Sequence, residues 1–124
     1  DSVLPVVDAG NAIMVGGDHQ IDQGLWLEHT PGHTPGAVCL HVNNDGEHGV
    51  FCGDMMHHPI QIPESSWSSI FCEDPVLSRK TRMAFVDRYA ETDTMILPCH
   101  FSGEGGGHIV TGGPGGKLKF AFEQ

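Results

Sequence analysis

Basic residues are scarce: 6 Lys and Arg stand against 16 Asp and Glu, for a formal net charge of −10. A chain this acidic is repelled by phosphate backbones and by anionic lipid, which argues against nucleic-acid partners and membrane-surface docking. No apolar run approaches the ~20 residues that cross a bilayer, and no basic stretch leads into an apolar one as in a secretory leader. C-x-x-C pairs are missing too. The four cysteines, Cys39, Cys52, Cys72 and Cys99, are scattered without disulfide-framework spacing, and read as reduced thiols of a cytoplasmic protein. There is no internal repeat and no low-complexity tail. At 124 residues the chain is one domain or part of one. It opens at Asp1 with no initiator Met, so the natural start is expected to have been removed or to lie outside this sequence.

Glycine is plentiful, 17 residues, and 8 prolines accompany it. That balance predicts short strands between tight turns rather than a helical bundle. Strands are expected at Ala12–Val15 and in "GLWLEHT", "AVCLHV", "VFCG", "TMILPCH" and "KLKFAF", with a hairpin turn through Asn44, Asp45 and Gly46. "GEGGGHIVTGGPGG" reads as loop. Asp74 as N-cap and Pro75 at the first helical position predict a helix reaching about Glu91. Its expected apolar face is Val76, Leu77, Met83, Ala84, Val86 and Ala90.

The phrase His-Thr-Pro-Gly occurs twice in "HTPGHTPGAVCLHV", ahead of a strand-like run. Gly32 and Gly36 are expected to let this loop turn, with His33 the side chain it aims. Asp54 and His100 also follow short apolar strands, 21 and 46 residues further along in turn. Strands of one sheet ending at one edge would gather the three. Imidazole and carboxylate are donors that suit Zn²⁺ and related divalent ions.

At these residues the sequence resembles the C-terminal half of the metallo-β-lactamase superfamily. "TPGHTPG" with His33, "CGDMMHHP" with Asp54 and "LPCHF" with His100 match its third, fourth and fifth metal motifs in order. The wording from "HHPIQIPESSW" to "LPCHFSGEGGGHI" is similar to lactonase-like and methyl-parathion-hydrolase-like members. The resemblance implies an α/β fold: half of an αββα sandwich, mostly sheet with one main helix and Gly-rich loops, in which residues 1–124 form a single partial domain. It implies metal-dependent hydrolysis of a lactone, ester, amide or phosphotriester. It implies His33 as a first-site ligand, Asp54 as the catalytic carboxylate bridging two ions, and His100 as a second-site ligand. His57 and His58 would support ligands or touch a small-molecule substrate.

The family's H-x-H-x-D-H signature is absent, and no His-x-His occurs anywhere in the chain. With those ligands missing, zinc or a similar ion is expected to bind weakly or not at all, with little or no turnover from this chain alone. A half-sandwich would also leave one sheet face wet, so the expected partner is a second copy, as a homodimer, or the missing N-terminal half. The alternative function is a truncated, non-catalytic half that self-associates. A cupin-like metal module fits less well, lacking His-x-His and carrying the Asp-Pro-started helix. His19, His29, His41 and His48 read as surface side chains. Strand alternation would put Cys99 on the face opposite His100. Arg79, Lys80 and Arg82 read as the solvated helix face, with Arg82 able to brace the sheet through an ion pair, and Trp67 and Phe71 as core or interface packing.

Overall fold

Strand β2 (Leu25–His29) and strand β3 (Val38–Asn44) form where the apolar alternation predicts them, and β3 turns directly into β4 (Glu47–Phe51). The turn is a two-residue hairpin with both central residues left-handed, Asp45 at φ 52° and Gly46 at φ 90°. That conformation matches the twist of the flanking strands. In a computed structural model describing residues 2–103 and 105–123, these strands belong to a seven-stranded sheet running β1 to β7 in chain order. The others are β1 (His19–Asp22), β5 (Met95–Leu97), β6 (Gly107–Thr111) and β7 (Leu118–Phe122). β4 and β5 pair in parallel, the other neighbours antiparallel. A parallel pair needs a long crossover, and here that crossover carries helix α2 (Pro75–Tyr89) across one face. A one-turn helix α1 (Leu4–Asp8) precedes the sheet.

Asp74 caps α2 as expected, its carboxylate accepting from the Leu77 N–H at 2.9 Å. The buried face differs from the expected one. Ser78, Arg82, Phe85, Val86 and Tyr89 face the sheet, whereas Val76 and Met83 are exposed. The spacing of Ser78, Arg82, Phe85 and Tyr89 is helical, but two of the four are polar, so an apolar count misses the stripe. Under the helix lie Cys39, Val50, Ile96, Ile109 and Phe120, one from each of β3 to β7. Each large apolar side chain buried there contributes about 1.5–3 kcal/mol.

The segment predicted as a strand at residues 12–15 is not one, and its Ile13 and Met14 are exposed. β6 arises inside the stretch read as loop. Its register is set by Ile109, which pairs with Phe120 and is fully buried. Trp67 and Phe71 are exposed rather than core. His41, read as a surface residue, is only 2% exposed. It stacks on Trp26 with centroids 4.8 Å apart, and its Nδ1 lies 3.0 Å from His48 Nε2. His48 Nδ1 lies 3.2 Å from Thr94 Oγ1, while Glu28, itself paired with Arg88, sits 2.9 Å from His41 Nε2.

Burial pushes both His41 and His48 below the usual histidine pKa. The unfolded chain therefore binds more protons as pH falls. Stability is full above about pH 6.5 and is lost progressively below it. Melting temperatures measured from pH 7.5 to 5 should drop, and His41→Gln should flatten that drop. An unchanged slope in the variant would contradict this account.

Cross-strand partners share a face. The face away from α2 is thus built from Leu25, Leu27, Val38, Leu40, Val42, Phe51, Met95 and Leu97. None of these eight is buried, in contrast to the helix-covered side.

Candidate metal centre

His33 is held by its neighbours' backbone rather than by its own side chain. Thr30 N donates to Ala37 O, and Gly32 N to Thr34 O, closing the loop between β2 and β3. The loop is pinned to the start of α2. Glu73 N donates to His33 O, Asp74 N to Gly32 O, and Thr81 Oγ1 to Pro31 O. Gly32 sits at φ 135°, where a Cβ would lie 2.2 Å from Ser78 N. Glycine is required there by both conformation and space. Gly36 has open space around it and no positive φ, so the turn does not depend on it.

Asp54 lies in a 3₁₀ turn, Gly53–Met55, directly after β4. Buried Cys52, Met55 and Met56 anchor it on both sides. His100 follows β5 by three residues, and Phe101 beside it is buried edge-on against Phe120. These anchors bring the three predicted residues together. His100 Nε2 is 2.5 Å from Asp54 Oδ1, and His33 Nε2 is 3.7 Å from Asp54 Oδ2. Hydrogen bonding from His100 holds the Asp54 carboxyl below the ordinary carboxylate range, against an opposing effect of burial. Nearby His33 and His57 pull the same way.

The two adjacent histidines separate. His57 enters the cluster, stacked on His100 with centroids 5.0 Å apart and tilted 4.9 Å from His33. Burial, reinforced by the neighbouring His33 and His100, pushes its pKa down. Its Nδ1 is buried with no hydrogen-bond partner among the described residues. His58 turns away and caps the Pro59–Gln61 turn, accepting from Ile60 N at 3.1 Å.

Three neighbours of the cluster escape a sequence reading. Cys72 Sγ lies 3.8 Å from His33 Nδ1, so that nitrogen has a partner while Nε2 faces Asp54. Cys99 is not turned away by strand alternation: β5 ends at Leu97, and Cys99 Sγ lies 3.8 Å from Asp54 Oδ1. The Pro98 that follows Leu97 was the available signal. Arg82 makes no ion pair among the described residues and is fully buried. It donates to Ser65 O, Met55 O, Trp67 O and the hydroxyls of Ser68 and Ser78, tying the residue after Asp54 to α2.

The donor set fits a divalent transition ion. One ligand atom each from Asp54, Cys99 and His100 lies within 4.8 Å of the others. Imidazole, carboxylate and thiolate all suit zinc. The unpaired buried nitrogen of His57 beside them fits a polar occupant rather than an apolar core.

No protein-family profile matches the chain. It is 33% identical over 98 residues to the acyl-coenzyme A thioesterase MBLAC2 of Gallus gallus, an alignment covering 78% of this chain and 31% of that protein. The chain thus spans about a third of the length of that relative. Solved structures superpose on nearly all of it. The hydrolase AbOPH of the beta lactamase superfamily gives a TM-score of 0.84 at 23% identity, covering 99% of this chain and 43% of its own. AidC, a dizinc quorum-quenching lactonase, gives 0.81 at 19% identity, covering 94% and 39%. A probable metal-dependent hydrolase from Staphylococcus aureus gives 0.77 at 14%, covering 94% and 41%. With its sheet order, its one crossover helix and these neighbours, the chain carries the metallo-β-lactamase fold, of which it forms a part.

Proposed function

We propose that this chain supplies His33, Asp54 and His100 to the metal centre of a hydrolase acting on lactone, ester or phosphotriester-type substrates. One observation carries the reading: side chains far apart in sequence meet on the two oxygens of a single carboxylate. Zinc or a related divalent ion bound there supplies Lewis-acid chemistry for hydrolysis near neutral pH. Asp54 balances the cation's charge between the two imidazoles. His57, against both rings, orients them. The thioesterase and lactonase relatives support an acyl substrate, with a thioester among the candidates.

The H-x-H-x-D-H signature does not occur in these 124 residues. The chain alone therefore binds metal weakly and turns over little, and the completed site includes the other half of the sandwich. A second reading, a non-catalytic half that pairs with its own copy, is favoured by the open apolar sheet face. No helix among the described residues is long and apolar enough to cross a membrane. Four free thiols support a cytoplasmic setting.

Calorimetric titration of Zn²⁺ into the metal-free chain tests the first reading. Wild type should take up zinc, and Asp54→Asn should lose more affinity than the roughly 10–100-fold that removal of an outer-shell partner costs. Equal binding by both would sink the assignment. A zinc-free, inactive dimer in sedimentation would favour the second reading.

A further inference from the structure

We infer that Cys99 is a metal ligand, completing with Asp54 and His100 a three-donor site on this chain. The inference rests on the hydrolase reading above and adds a donor to it. His33 faces the other carboxylate oxygen, so around Asp54 Oδ1 only Asp54 and His100 stand as donors, fewer than the three protein ligands that catalytic zinc ordinarily has. Cys99 raises the count to three without any residue from outside the chain.

The geometry comes from the end of β5. Past Leu97 the chain bends through residues 98–100, so consecutive side chains no longer alternate and both Cys99 and His100 reach Asp54. Donors held at zinc's bond lengths in a tetrahedron stand roughly 3.3–3.8 Å apart. The Cys99 Sγ–Asp54 Oδ1 separation of 3.8 Å already matches. The His100 Nε2–Asp54 Oδ1 hydrogen bond of 2.5 Å must open by about 1 Å, as a direct bond gives way to a shared ion. Both of those side chains are about half exposed, which leaves them room to move. Cys99 is exposed as well, unlike buried Cys39, Cys52 and Cys72. Its present partner besides Asp54 is Gly53 O at 3.3 Å, and a thiol is a weak donor. His57 stacks on the His100 ring at 5.0 Å and so holds that ligand's orientation beside the site. On binding, the thiol proton leaves to solvent and the sulfur electron pair joins the ion, so uptake releases one proton per thiolate formed. His33 stands on the other carboxylate oxygen, outside this set.

Cobalt(II) titrated into the metal-free chain and followed by absorption tests the inference. Visible ligand-field bands report that an ion is bound, and a near-ultraviolet sulfur-to-cobalt charge-transfer band reports a thiolate ligand. Wild type and Cys72→Ser should show both. Cys99→Ser, checked for folding by circular dichroism, should keep weakened visible bands, lose the charge-transfer band and bind zinc at least about 10-fold more weakly. Visible bands in wild type without charge transfer, or charge transfer that survives in Cys99→Ser, would overturn the role of Cys99 and leave the hydrolase reading standing. No cobalt spectrum at all would overturn both.

Discussion

Replacing Arg82 with methionine should cost about 3–5 kcal/mol, enough to unfold much of the population at moderate temperature. The side chain is fully buried, and its N–H groups meet three carbonyls and two hydroxyls, at 2.5 to 3.3 Å. Burial disfavours the charge, and those oxygens, rather than a carboxylate, offset it. Methionine fills the volume but leaves the oxygens unpaired. The unmade bonds then dominate over any gain in apolar packing. Lysine keeps the charge with three donors instead of five, so it should fall between wild type and methionine. Urea denaturation gives the comparison directly. A loss in Arg82→Met below about 1 kcal/mol would mean that water replaces the guanidinium at little cost.

Gly32→Ala should destabilise the chain by about 3 kcal/mol or more, since overpacking and a disallowed φ act together. The new methyl would sit 2.2 Å from Ser78 N and 2.3 Å from Ser78 Cα, backbone atoms of a capped helix that cannot swing aside. Any relief moves the loop off α2 and carries His33 away from Asp54. Zinc affinity and stability should therefore fall together. Gly36→Ala, with nothing within 4 Å, should change stability by less than about 0.5 kcal/mol. Wild-type stability in Gly32→Ala would show that the loop and helix do not meet as described.

The parts of the fold legible in sequence are those governed by local rules. Alternation located β2 and β3, the turn residues Asn44, Asp45 and Gly46 located the hairpin, and Asp74-Pro75 located the start of α2. Where tertiary contacts decide, local signals failed. β6 is a strand because Ile109 fills the core beneath α2, although glycines flank it and suggest loop. Arg82 carries a charge that marks a surface residue by type, and only its ring of oxygen acceptors explains its burial. His41 is buried for a similar reason, with Trp26, His48 and Glu28 as partners distant in sequence. In the candidate site, ordered motifs brought forward His33, Asp54 and His100. Cys99 was set aside by an alternation rule that lapses at Pro98. Nothing local distinguished His57 from His58, because one faces the cluster and the other caps a turn.

We propose that His33, Asp54 and His100 converge on a metal. Crystals of the chain soaked in excess zinc, with anomalous data collected at the zinc edge, test it most directly. The account predicts an anomalous peak in contact with the Asp54 carboxylate and His100 Nε2, within reach of His33 Nε2. A peak confined to other residues, or none near Asp54 at full soak, would contradict it.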